Sequence, residues 1–302
     1  MFTEEPTMER IRRMHIGCHG LVWTGDFDKS GFDLAVGKSL DAGFDLLEIP
    51  LFDPDSFDVS AAKSSLKKQP ITVTASLGLG PESDISSEDP GAVAAGERKL
   101  NAVLDVLSEL ESEYLIGVIY GKLGRYAGPS TALGRSNSIG VLRRVAERAR
   151  TLGIRLGLEV VNRYESNLLN TAKQAIAFLD EVGHPNIGVH LDSYHMNIEE
   201  SDMIAPVLAC GDRLSYVHVG ESHRGYLGSG TVDFDSLFRA LALIDYDGPI
   251  AFESFSSAVV SADLSNNLAI WRNLWQDSGD LGSHANAFIR GKMHAIDTTH
   301  LG

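Results

Sequence analysis

Eight short runs rich in β-branched and apolar residues recur along the chain, at 15–22, 44–49, 71–77, 114–120, 154–160, 187–192, 214–219 and 249–253. Between them lie longer stretches of helical periodicity, including 33–42, 92–110, 138–152, 171–182 and 234–243. Strands that alternate with helices in this way belong to βα units and a parallel sheet, not to a sandwich or a helical bundle. Three of the helical stretches close on a glycine just before the next strand (Gly43, Gly153 and Gly183), where a helix commonly ends in the left-handed conformation.

Eight βα units in about 250 residues is the size of a single (β/α)8 (TIM) barrel, whose functional face is built at the C-terminal ends of the strands. A doubly wound open sheet is the competing fold. Its glycine fingerprint is missing after the first strand, where Gly17-Cys18-His19-Gly20 stands instead. Residues 15–277 are expected to form the barrel, with 1–14 an N-terminal extension and 278–302 a C-terminal helix and tail, the helix centred on 283–289. Two Gly-rich polar loops, 78–90 and 121–135, are expected to overhang the barrel mouth.

Composition removes several classes of function. The 302 residues are 43% hydrophobic, enough for a large core, and carry a net charge of −15, which repels nucleic-acid backbones and anionic membranes. Apolar runs fall well short of the roughly 18 residues a spanning helix needs, and the acidic and arginine-bearing N-terminus lacks the layout of a secretory signal. Cys18 and Cys210 form no metal-finger or disulfide pattern and read as buried thiols. A cytoplasmic protein with no nucleic-acid or membrane partner is expected.

Four ionisable residues sit at the C-terminal ends of the last four strand runs: Glu159, Asp192, His218 and Glu253. Taken singly, a carboxylate in such a place is more often a helix cap or a salt-bridge partner. On consecutive barrel strands, however, the four side chains can converge on one point. Three carboxylates and an imidazole make a mostly hard-oxygen site suited to Mn²⁺, Co²⁺ or Mg²⁺, and an octahedral ion there keeps two positions open for adjacent sugar oxygens. His190 shares the face of Asp192 and reads as a hydrogen-bonded core histidine, while His15, His184, His284, His294 and His300 read as structural or solvent-facing.

The segments around these residues resemble a known family. They are Glu159-Val160-Val161-Asn162-Arg163-Tyr164-Glu165, His190-Leu191-Asp192-Ser193-Tyr194-His195, His218-Val219-Gly220-Glu221-Ser222-His223-Arg224 and Phe252-Glu253-Ser254-Phe255. As a set they are similar to the D-tagatose, D-allulose and L-ribulose 3-epimerases, ketose 3-epimerases of the xylose-isomerase-like barrel superfamily. The resemblance spans about 17–275 and is densest over 159–255, with His19 where many members carry an aromatic residue.

That resemblance implies one divalent ion per subunit, Mn²⁺ or Co²⁺, on Glu159, Asp192, His218 and Glu253. It also implies Glu159 and Glu253 as the catalytic pair, Glu165, His195 and Arg224 as contacts to a free ketose, and a homodimer or homotetramer. Removing the proton next to a ketone builds charge on the ketone oxygen, which a divalent ion stabilises. Inverting carbon 3 needs a second carboxyl on the opposite face to return a proton. Phe255 and Trp23 are candidate pocket walls, and a surface position is the plainer reading of Arg224. An aldose–ketose isomerase on the same barrel is the alternative function.

Overall fold

The structure, a computed structural model, describes residues 15–299. The expected extension at 1–14 and His300 lie outside the described residues. Eight parallel strands close into a barrel in chain order: β1 (Ile16–His19), β2 (Leu46–Pro50), β3 (Thr72–Ser76), β4 (Tyr114–Gly117), β5 (Arg155–Val160), β6 (Ile187–Asp192), β7 (Leu214–Val219) and β8 (Ile250–Phe252). The helices that return the chain are α1 (Lys29–Asp41), α2 (Val59–Lys68), α3 (Pro90–Glu109), α4 (Ala132–Thr151), α5 (Ala172–Val182), α6 (Ser193–Glu199), α7 (Ala205–Cys210), α8 (Phe234–Leu243) and α9 (Ala262–Asn267), with α10 (Ser278–Thr299) at the end. The expected (β/α)8 barrel with an extra C-terminal helix is the fold observed.

Local chemistry sets the boundaries. Asp28, Asp58, Thr131, Thr171 and Asp233 each accept a backbone N–H at the start of a helix, and Thr171 and Gln174 complete a reciprocal capping box. Gly153 and Gly183 end their helices at φ +74° and +64°, as the sequence predicts.

Two expectations are corrected. The run at 15–22 is a strand only to His19, because the His19 ring accepts the N–H of Leu21 and turns 20–22 into a 3-10 turn. The run at 114–120 leaves the sheet at Gly117 (φ +111°), whose missing Cβ would stand 2.4 Å from the Leu77 carbonyl oxygen. Helix α2 is not among the stretches named from sequence; it is rich in serine and lysine, and of its residues only Ala62 and Ser65 are buried.

The main core lies between the strands and the helices, while the barrel's inside below the mouth is filled by Ile116, Tyr216 and Ala251. Both cysteines are buried and free. Helix α10 is longer than the expected segment and packs on α1, β1 and α8. Trp23 belongs to this seam and not to a pocket: its Nε1 donates to Ser39 Oγ at 2.8 Å, and a Cβ at position 282 would meet its ring at 2.2 Å. At the mouth, the two Gly-rich loops are tied by a parallel bridge between Leu79 and Lys122 and by Asp84, which accepts from Ser86 N, Lys122 N and Tyr126 Oη. With the loops after β1 and β2 they border a cleft of about 580 Å³. Among the described residues no helix is long and apolar enough to cross a membrane.

Candidate active site

Strand register brings the four strand-end residues together. Asp192 and His218 are direct partners across β6 and β7, Glu159 partners His190 on β6, and Glu253 follows the last residue of β8. Each of the four offers a ligand atom within 4.8 Å of the others, and all are buried. His218 Nδ1 lies 3.8 Å from Glu159 Oε1 and 3.5 Å from Glu253 Oε1, and it has no hydrogen-bond partner. A buried nitrogen left bare among three carboxylates fits a cation, and the oxygen-rich donor set suits a hard divalent one. Asp192 is also a helix cap, so the plainer reading holds too: Oδ1 accepts Tyr194 N at 2.7 Å while Oδ2 faces the cluster.

His195 and Arg224 border the same space. Asn162 donates its backbone N–H to His195 Nδ1 at 3.1 Å, so the neutral ring carries its proton on Nε2. That Nε2 lies 3.6 Å from Glu159 Oε1 and 3.5 Å from Arg224 Nη2. Two donors so placed cannot bond each other; they can share an acceptor oxygen set between them. Arg224 is no surface residue. Its guanidinium lies 3.9 Å from the centre of the Tyr194 ring and 5.0 Å from that of Phe255, and it donates to Asp192 Oδ2 and Glu253 Oε2. Its backbone holds φ +61°, rare outside glycine, fixed by Arg224 N donating to Glu221 O and by Ser254 Oγ donating to Arg224 O. Glu165 accepts from Asn162 Nδ2 at 2.8 Å and, with Tyr194, Arg224 and Phe255, lines a hollow on this side of the site.

Electrostatics divide the carboxyls. Burial pushes Glu159 up to about 8 and Asp192 up to about 6, and it raises Glu165 as well. Burial acts the same way on Glu253, but Arg224 and His218 outweigh it and hold that carboxyl far below the ordinary range. His195 is kept neutral by burial, with Arg224 adding to the effect. In His218 burial is overcome by Glu48 and Glu253, which raise it well above the usual imidazole value until something displaces the proton.

Among the remaining histidines one expectation fails. His190 is fully buried, yet neither ring nitrogen has a hydrogen-bond partner; the ring packs edge to face against His218, with centroids 4.1 Å apart. His184 pairs with Glu147, and His15, His284 and His294 are exposed. Sequence reasoning passed over Asn162, which orients both His195 and Glu165, and over Glu48, a carboxylate inside the apolar run of β2. The signal that marked the later strands, an acid in an apolar strand, was present at Glu48 too.

A family model for xylose isomerase-like TIM barrels matches residues 36–275. The ketose 3-epimerase of Arthrobacter globiformis is 59% identical over 288 residues, covering 95% of this chain and all of that one. The chain belongs to the ketose 3-epimerase family. Members of this family are isomerase-class enzymes, and others resemble the chain closely. An L-ribulose 3-epimerase from Methylomonas sp. is 51% identical over 92% of this chain and 98% of its own length. A crystal structure of D-allulose 3-epimerase from Methylomonas sp. with D-allulose superposes with a TM-score of 0.91 at 51% identity, covering 93% of this chain and 97% of that one.

Proposed function

We propose that the protein is a metal-dependent epimerase acting at carbon 3 of free ketoses, interconverting pairs such as D-allulose and D-fructose, L-ribulose and L-xylulose, or D-tagatose and D-sorbose. The observation that carries this reading is the convergence of two buried carboxyls, Glu159 on β5 and Glu253 beyond β8, on the same His218 Nδ1, at 3.8 Å and 3.5 Å, with the donors of His195 and Arg224 opening on the same space. The names of the relatives support the substrate class.

Glu159, Asp192, His218 and Glu253 would hold the ion, Mn²⁺ or Co²⁺ with Mg²⁺ a third candidate, which when bound supplies Lewis-acid stabilisation of charge on the ketone oxygen. One glutamate removes the proton from carbon 3. The C–H electron pair forms the carbon–carbon double bond of an enediolate, and the carbonyl pair moves to oxygen. His195 Nε2 and Arg224 donate toward the oxygen that gains charge. The other glutamate delivers a proton to the opposite face of carbon 3 as the carbonyl re-forms, and configuration inverts. Glu165, beside Arg224, would contact the substrate's carbonyl end. Residues 15–277 would carry the reaction, with α10 buttressing the barrel; the cytoplasmic setting and the homodimer or homotetramer stay with this reading.

Incubation with a ketose in deuterium oxide tests it. Deuterium at carbon 3 together with the 3-epimer is the expected result. An aldose product labelled at carbon 1 or 2 would make the protein an aldose–ketose isomerase, and no exchange would leave a sugar-binding barrel.

A further inference from the structure

Glu48 has no part in the chemistry above, yet it is fully buried directly beneath it. It lies in the middle of β2, with His19 on β1 and Thr74 on β3 as register partners, and it reaches across the barrel to β7. Its Oε2 accepts from His218 Nε2 at 2.8 Å and from Tyr216 Oη at 2.9 Å. Thr74 Oγ1 stands 2.9 Å from the same Tyr216 oxygen, so the threonine donates to a tyrosine whose own proton is committed to the carboxylate. Three strands thus meet in one chain of hydrogen bonds.

A carboxylate only accepts, so the His218 ring bonded to it keeps its proton on Nε2, and the lone pair of the neutral ring is at Nδ1. Nδ1 is the nitrogen found buried, without a partner and facing Glu159 and Glu253. We propose that Glu48 is a positioning residue for ion binding: by taking the Nε2 proton of His218 it fixes the tautomer and ring orientation that present Nδ1 to a divalent cation. The proposal rests on the reading of Glu159, Asp192, His218 and Glu253 as an ion site. Glu48 is not itself one of the ligands. Its free oxygen, Oε1, turns away toward His19 Nε2 at 3.5 Å. Outer carboxylates of this kind orient a metal-bound imidazole and make it a better donor, and losing one typically costs about 10- to 100-fold in metal affinity.

The test is a Mn²⁺ titration of full-length protein stripped of metal, following free Mn²⁺ by electron paramagnetic resonance, for the wild type, Glu48→Gln and Tyr216→Phe. Glu48→Gln should raise the Mn²⁺ Kd about 10- to 100-fold while circular dichroism stays that of the wild type, and Tyr216→Phe, which spares the carboxylate–imidazole bond, should raise it less. In the Co²⁺-loaded wild type, the Nε2 proton of His218 should give a hyperfine-shifted, solvent-exchangeable NMR signal that Glu48→Gln moves or removes. A purely structural role would leave that signal in place. A folded Glu48→Gln with a Kd within about twofold of wild type overturns the proposal. If the glutamine variant does not fold, Glu48→Asp replaces it under the same criterion, since a shorter carboxylate keeps the charge but shifts the acceptor. Wild-type protein that binds no Mn²⁺ would instead overturn the ion-site reading, and this proposal with it.

Discussion

Arg224 Nη1 donates to both Asp192 Oδ2, at 3.0 Å, and Glu253 Oε2, so one guanidinium joins carboxylates delivered by β6 and by the end of β8. A planar fork stacked on Tyr194 can hold both while its other nitrogen faces the space beside His195; an ammonium group cannot. Arg224→Lys should therefore lower kcat by about 10- to 100-fold, the equivalent of one lost charged hydrogen bond, with a smaller change in KM. Steady-state rates on the preferred ketose decide this. An unchanged kcat would place Arg224 outside the reaction.

Glu159→Gln and Glu253→Gln should each cost more than Arg224→Lys, because each removes a proton-transfer group and a negative charge from the same cluster. General acid or base action alone is typically worth about 10²- to 10⁴-fold. Circular dichroism should stay that of the wild type. If either variant, freed of wild-type contamination, kept more than roughly a tenth of the rate, that carboxyl would be neither acid nor base in the reaction.

The strand-end cluster was legible because burying an acid at the end of an apolar strand is costly without a partner, so each such residue stands out in a linear reading. The runs read for β6 and β7 coincide with the strands residue for residue, and every position in both is buried. Glu48 carries the same cost but sits mid-strand on β2, and its partner His218 is 170 residues away, a distance only barrel closure removes. The burial of Arg224 was hidden for a related reason. Tyr194 and Phe255, which cover it, come from α6 and from the segment after β8, each about 30 residues distant in sequence. Trp23 failed in the opposite direction, since an aromatic near a strand end looks the same whether it faces the mouth or packs under a terminal helix.

Removing divalent metal should abolish activity and lower Tm, and adding Mn²⁺ or Co²⁺ should restore both. Glu159, Asp192 and Glu253 crowd together with Arg224 as the guanidinium that pairs two of them, and an ion bound only by the folded chain stabilises it by mass action, about 2.7 kcal/mol at a hundred times Kd. Scanning calorimetry on chelated and reloaded samples, with elemental analysis of each, measures the shift. Full activity in verified metal-free protein would rule the ion out of the reaction.

The stability gained from metal should depend on pH. Without an ion, burial pushes Glu159 up to about 8 and Asp192 up to about 6, above the ordinary carboxyl value of about 4. A folded-state value raised in this way gives stability that is fully present below the ordinary value and is lost as pH rises through about 6 for Asp192 and about 8 for Glu159. His218, raised by Glu48 and Glu253 against the effect of burial, acts in the same sense from its ordinary value of about 6.5 upward. Glu253 runs the other way, because Arg224 and His218 overcome burial; its contribution is present above the ordinary range and is lost only in strong acid. The chelated protein should thus lose Tm between about pH 5 and about pH 8.5. The ion needs those same groups deprotonated, so the Tm gained from excess Mn²⁺ should grow over that interval, and the acid limb of the rate profile should move to lower pH as Mn²⁺ is raised. Thermal melts at three pH values with chelator and with Mn²⁺, beside rate profiles at two Mn²⁺ concentrations, measure both effects. A metal-induced gain that stayed constant with pH, together with an acid limb that did not move, would show that protons and the ion do not share Glu159, Asp192 and His218.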